Sequence, residues 1–285
     1  MTRLFTLACL IFCAFSVGSA RAAKRPLRVV IDPGHGGADE GAVFFDKTLK
    51  VAEKDITLLL ALQAAKKLRA QGFLVSLTRE TDQQVALADR TAHANRFRAD
   101  VFLSIHMNAP AAPGSAGSPG SREAFGIETY FLNSTTDDSS KRLAHFENSV
   151  LGGSPEPTAS PEGLDVALIL KDLRLDANLS ESKRLACHLQ HQLIQFTSTQ
   201  PSEVVATSPR NRGIKQALFY VLLGADMPAV LVEAGFLSHA QDRNLVLSEA
   251  GQQKIASAIA YALERFRTLQ GTRQAQQVIS TCKVR

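Results

Sequence analysis

An α/β architecture with a largely parallel sheet follows from two features of the sequence. Apolar runs of strand length alternate with longer stretches of helical character, which is how strand–helix–strand layers are written. The composition can fill such a core: 285 residues, 45% hydrophobic, 21% charged and 6% aromatic. That balance excludes intrinsic disorder, collagen-like repeats and a multi-span membrane protein. A third observation carries the chemistry. Three of the apolar runs end abruptly in histidine or glutamate, and in open α/β sheets ligands collect at the carboxyl ends of the strands.

The first element is an export signal. Met1–Ala23 has Arg3 at its start, an uncharged run from Leu4 to Val17 and small residues at Ala20–Ala23. The run is shorter than the ~20 residues that a membrane span needs. Cys9 and Cys13 leave with it, so Cys187 and Cys282 remain. Cleavage removes two arginines and no acid, and the formal charge falls from +5 to +3. Such a charge suits an anionic polymer and is too diffuse to argue for nucleic acid. An oxidising compartment permits a Cys187–Cys282 disulfide without requiring one.

Arg28–Ile31 reads as a buried strand stopped at Asp32-Pro33-Gly34. Ala52–Ala70 follows as a helix ended by Gly72, Phe73–Thr78 as a strand, Val85–Ala99 as a helix and Val101–Ile105 as a strand. Asp89, Arg90 and Asn95 are expected to cap and brace that second helix. Pro110–Ser121 is a loop rich in Ala, Pro, Gly and Ser, and Gly126–Leu132 alternates like a strand. From Asn133 to Ser182 the chain turns polar, with helical stretches at Lys141–Leu151 and Val166–Leu173, as an insertion would. Ser182–Thr197 is a core-type helix, Pro228–Val232 a buried strand and Glu249–Thr268 a long closing helix. The tail, 269–285, is polar and expected to be loose unless Cys282 ties it down.

The strand ends deliver His35, His106 and Glu233 to one edge, and Glu53 opens the helix after the His35 loop. Two imidazoles, a carboxylate and an open fourth position make a catalytic zinc site, with a further carboxylate to move the proton. The residues alone leave open which of Glu53 and Glu233 is ligand and which is base. The Gly34–Gly37 turn lacks both the GxGxxG spacing and a Walker lysine, which argues against nucleotide binding. His188 and His191, three apart on a helix with no carboxylate partner in view, are read as surface histidines, as are His93, His145 and His239.

The segments VVIDPGHGGADEGA, EKDITL, SIHMNA and NRGIKQALFYVLLGADMPAVLVEAGFLSH, with the closing helix, resemble the zinc-dependent N-acetylmuramoyl-L-alanine amidases of bacterial cell-wall turnover and division. The likeness spans Arg28 to Thr268. It implies a mixed, mainly parallel sheet flanked by helices, in a catalytic domain over residues 24–268. It also implies one Zn2+ per chain on His35, Glu53 and His106, Glu233 as the catalytic glutamate, and peptidoglycan as the substrate in the periplasm. No nucleic acid and no stable membrane anchor are expected.

Division amidases of this type, to which the chain is most similar, carry a helical segment that covers the active site. Residues 133–182 hold the matching place, which implies Glu147 as an inhibitory fourth ligand, displaced by a LytM-domain-type activator. Val166–Leu170, oily within a polar insertion, is the expected activator contact. Only Lys24–Leu27 separate the cleavage site from the first strand, so no N-terminal targeting module is expected. Two other readings share these residues: a zinc peptidase acting within the stem peptide, and an inactive wall-binding protein on the same fold.

Overall fold

In the computed structural model the described residues are 25–108, 124–149, 172–198, 210–269, 272–273 and 282–285. The central sheet is built from β1 (Arg28–Pro33), β4 (Leu74–Leu77), β5 (Val101–Asn108), β6 (Ile127–Leu132), β7 (Asn211–Ala217) and β8 (Ala229–Phe236). Their order is β4-β1-β5-β8-β6-β7, and β4, β1, β5 and β8 run parallel. β6 turns antiparallel to β8 and pairs in parallel with β7, so the sheet is mixed and mainly parallel, as expected. The mostly apolar character of β5 and β8 is explained by burial of all eight residues of each strand.

Helices cover both faces. On one lie α1 (Glu53–Ala70), α4 (Asp172–Thr197) and α7 (Glu249–Thr268), packed over Val29, Ile31, Leu103, Ile105, Val230 and Val232. α1 buries Ile56, Leu60, Ala61, Ala64 and Leu68, and α7 buries Ile255, Ile259, Leu263 and Phe266, each a stripe at helical spacing. Ser248 caps α7 by accepting from the Gly251 amide. On the other face α2 (Leu87–Phe97), α3 (Asp138–Asn148) and the short α5 (Tyr220–Leu223) cover Val30, Phe102, Tyr130, Ala229 and Leu231. A last helix, α6 (Ala240–Leu247), precedes α7. Among the described residues no helix is long and apolar enough to cross a membrane.

Several elements differ from the sequence reading. Val43–Phe45 (β2) and Lys50–Ala52 (β3) form an antiparallel hairpin ahead of α1, each strand too short for an alternation to show. α4 begins at Asp172, ten residues before the apolar pattern that announced it. His188 lies on the buried side of α4 at 6% exposure, not on the surface, and its burial beside Arg184 lowers its pKa to about 4. His191 and His145 are exposed, whereas His93 and His239 are half-buried. Residues 1–24 and 150–171, with the export signal and the Val166–Leu170 stretch, lie outside the described residues.

Cys187 of α4 and Cys282 form a disulfide, the alternative that composition had left open. Beyond it Val284 bridges to Ile214, and the Arg285 amide donates to the Ile214 carbonyl, so these last residues are tied to the edge strand β7. The bond closes a loop of 95 residues. Loops of that length stabilise by ~2–5 kcal/mol, mainly by restricting the unfolded chain. Replacing both cysteines by serine is therefore expected to lower Tm by roughly 5–15 °C. Thermal unfolding with and without reductant checks this: the serine variant should match the reduced native chain.

Candidate metal centre

The carboxyl end of β1 turns sharply so that His35 can look back into the fold. His35 adopts φ 61°, a left-handed conformation that costs a non-glycine residue and has to be held from outside. Two buried arginines hold it. Arg90 donates from Nη1 to the Pro33 carbonyl at 2.8 Å and from Nη2 to the His35 carbonyl at 3.0 Å. Arg79 donates to the carbonyls of Pro33, Gly34 and Lys54. Arg90 is in turn paired with Asp32, which also accepts from Thr78 and Ser104. These donors outweigh burial and keep the Asp32 carboxyl below its ordinary range. Arg90 thus braces the His35 turn as well as the start of its own helical segment, where its Nε donates to the Val85 carbonyl at 3.0 Å. Asn95 bonds the Gly224 carbonyl instead of capping α2.

His106 leaves β5 next to a register shift, and its ring lies against the backbone of Gly34. A Cβ on Gly34 would come within 2.4 Å of that ring, so only glycine admits the histidine here. Gly41, at φ +64°, is under a similar constraint: a Cβ would sit 2.6 Å from Glu53 Oε2 and from the His35 ring. Glu53 itself opens α1 and is fully buried. Its Oε2 accepts from the Ala42 amide at 2.7 Å and its Oε1 from the Met107 amide at 2.8 Å, which fixes the carboxylate plane.

Glu147 arrives from α3. Asp137 caps that helix by accepting from the Ser140 amide, and Ser140, Leu143, Ala144 and Glu147 share its buried stripe. Once Leu143 and Ala144 pack on the sheet, Glu147 has to point inward. Four donor atoms then meet. His35 Nε2 lies 3.1 Å from Glu53 Oε1 and 3.1 Å from Glu147 Oε2, and His106 Nδ1 lies 3.0 Å and 2.9 Å from the same two oxygens. All four fall within 4.8 Å of one another. Ligands ~2.0–2.2 Å from a tetrahedral ion stand about 3.3 Å apart, so the spacing suits one.

The chemistry of the donors points the same way. His35 Nδ1 lies 2.9 Å from Asp39 Oδ2, which places the proton there and turns the Nε2 lone pair into the cluster. His35 Nε2 and both oxygens of Glu147 are buried without a hydrogen-bond partner among the described residues, a costly state unless a cation satisfies them. Burial opposes charge on the imidazoles, yet the carboxylates prevail. Glu147 and Glu53 raise His106 to about 10, and Glu53, Glu147 and Asp39 hold His35 well above the usual histidine range. The pocket calls for positive charge, and a divalent ion can supply it.

Glu233 completes the site. It stands in register with His106 across β5 and β8, fully buried, with neither oxygen bonded to a protein donor among the described residues. Burial, reinforced by Glu147, pushes its carboxyl well above the ordinary range. A carboxylate so placed and so poorly anchored can accept a proton and return it. The structure therefore gathers His35, Glu53, His106 and Glu147 into one cluster and sets Glu233 beside it. Sequence reading missed Asp39, Arg79 and the true partners of Arg90. Only Asp39, four residues from His35, left a local signal.

The chain matches the family described as N-acetylmuramoyl-L-alanine amidase over residues 29–265. It is 31% identical over 251 residues to the N-acetylmuramoyl-L-alanine amidase AmiC of Neisseria meningitidis, covering 87% of this chain and 54% of that protein. With AmiA of Escherichia coli it shares 30% identity over 232 residues, covering 81% and 73%. The chain thus spans about half the length of the Neisseria relative and nearly three quarters of the other. Among solved structures it resembles an N-acetylmuramoyl-L-alanine amidase from Clostridium difficile 630, with a TM-score of 0.61 at 28% identity, covering 87% of this chain and all of that one.

Proposed function

The chain belongs to the N-acetylmuramoyl-L-alanine amidase family, and from that premise we propose that it is a zinc-dependent peptidoglycan hydrolase. The bond cut joins the lactyl group of N-acetylmuramic acid to the L-alanine of the stem peptide. The observation that carries this reading is the buried His35–Glu53–His106–Glu147 cluster with the unanchored Glu233 at its side.

His35, Glu53 and His106 would hold the ion, one per chain, with Asp39 orienting His35 through its Nδ1 proton. Bound there, zinc would supply Lewis acidity to the scissile carbonyl and to the attacking water. Glu233 takes the proton from that water and delivers it to the leaving nitrogen of the alanine. Its burial strengthens each of these transfers, because little solvent screens them. In this reading Glu147 would take the position that water and substrate need, which would make the conformation an inhibited one and require α3 to move for turnover. An activator of the LytM-domain type, docking on the insertion 133–182, would displace it. Residues 1–23 as an export signal place the enzyme in the periplasm, in wall turnover and daughter-cell separation.

Metal content and product identity test this reading together. One zinc per purified chain is expected. Stripping it with a chelator should abolish peptide release from peptidoglycan, and adding it back should restore release. Only the amidase exposes the lactyl carboxylate of muramic acid. A metal-free active chain, or cleavage within the stem peptide, would overturn the proposal.

A further inference from the structure

The β2–β3 hairpin carries an apolar face that the described residues leave uncovered. Phe44 and Val51 stand opposite each other and pack on the core. Val43 and Phe45 take the other face, as alternate residues of a strand must. Val43 is 44% exposed and Phe45 76%, and Leu49 in the connecting turn is 38% exposed. Among the described residues, three of the nine exposed large hydrophobics thus fall between positions 43 and 49, a cluster rather than scatter.

The hairpin is pinned at its tip, along its inner face and at its base. Asp46 Oδ1 accepts from the Thr48 and Leu49 amides, and the Asp46 amide donates to the Leu49 carbonyl. Against the inner face, the Arg243 guanidinium of α6 lies 3.6 Å from the centre of the Phe44 ring. The same guanidinium donates to the carbonyl of Leu237, directly after the strand that carries Glu233. The base grows out of the metal centre. Gly41 donates its amide to Asp39, Ala42 donates to the Glu53 carboxylate, and the Ala42 carbonyl accepts from the Glu53 amide. Phe45 therefore presents an open ring on a fixed strand whose root is bonded to two side chains of the site.

The substrate supplies the occupant. The scissile amide hangs from a sugar by one lactyl group, so the glycan strand has to cross the rim of the site when that amide meets the metal. Lys50 stands directly opposite Phe45, and its Nζ pairs with Glu40 Oε1 at 2.7 Å. Both ends of that pair are solvent-exposed. A charged pair beside a ring offers donors and acceptors to hydroxyls around an apolar sugar face. A lipid or an apolar protein surface would desolvate the pair and give nothing back. We propose that Phe45, with Val43 on the same face, is a stacking platform for a sugar of the glycan strand. The platform rests on the amidase reading and deepens it, because the chain then grips glycan as well as peptide.

The chain contains no tryptophan, which allows a direct test. Phe45→Trp places a sole indole on the platform, and peptide-free glycan strands should shift its emission to the blue. Free stem peptide should leave the emission unchanged. Kinetics are read on peptidoglycan in the Glu147→Ala background at equal zinc content. Phe45→Ala and Phe45→Leu should each raise KM by on the order of tenfold while kcat holds, and Phe45→Tyr should keep the native KM. Leucine separates the ring from mere apolarity. A side chain this exposed supports little packing, so each variant should fold. Emission unmoved by glycan would overturn the platform, as would a leucine variant with native KM. A blue shift with anionic phospholipid vesicles and none with glycan would overturn it too, and assign the face to a membrane surface. If no form releases peptide while glycan still shifts the emission, the amidase reading fails and the grip on glycan stands.

Discussion

Replacing Glu147 by alanine is expected to raise peptide release without activator by on the order of tenfold or more. Glu147 Oε2 lies 3.1 Å and 2.9 Å from the two imidazole nitrogens, where a fourth ligand belongs, and an occupied fourth position leaves none for water. The carboxylate is placed by its helix rather than by bonds of its own: both its oxygens lack protein hydrogen-bond donors among the described residues. Removing it opens the position without disturbing the packing of Leu143 and Ala144, which seat α3 on the sheet. Glu147→Gln separates charge from bulk, since the amide fills the space but is a poor ligand, and it should activate nearly as well. Peptide release from purified peptidoglycan, measured at equal zinc content, decides the matter. Basal turnover unchanged in both variants would show that Glu147 is a passenger and that α3 blocks nothing.

The parts of this site that the sequence made legible are those fixed by strand ends. An apolar run such as Pro228–Val232 announces a buried strand, and the glutamate that follows must then lie at its carboxyl edge. His35 and His106 were readable on the same ground. Glu147 was readable only through resemblance, because a glutamate on a polar helix looks solvated until Leu143 and Ala144 beside it are seen to pack. What stayed hidden depends on partners far along the chain. Arg90 reads as one more charge on a helix, yet its partner Asp32 is 58 residues away, and no local pattern records that pairing. The β2–β3 hairpin was invisible for a simpler reason, since three residues per strand cannot show a period of two.

Glu233→Gln is expected to cost at least ~10³-fold in kcat while leaving zinc content unchanged. A positioned general base is worth ~10²–10⁴, and here the same carboxylate serves twice, taking the proton and returning it to the leaving nitrogen. Glutamine keeps the shape of the side chain but can do neither. Zinc should stay because Glu233 is absent from the four residues whose donor atoms meet, and His35, Glu53 and His106 remain in place. The fold should tolerate the change and gain from it in the metal-free chain. Glu233 is fully buried with both oxygens unbonded among the described residues, so a neutral amide removes the cost of burying an unpaired carboxyl group. Three measurements on one protein therefore have to agree: zinc at one per chain, a metal-free Tm no lower than that of the native chain, and turnover near background. If turnover persists, another group carries the proton, and the pairing of Glu233 with His106 across β5 and β8 is structural. If zinc is lost with activity, Glu233 belongs to the ligand set, and the division of labour between Glu53 and Glu233 has to be redrawn.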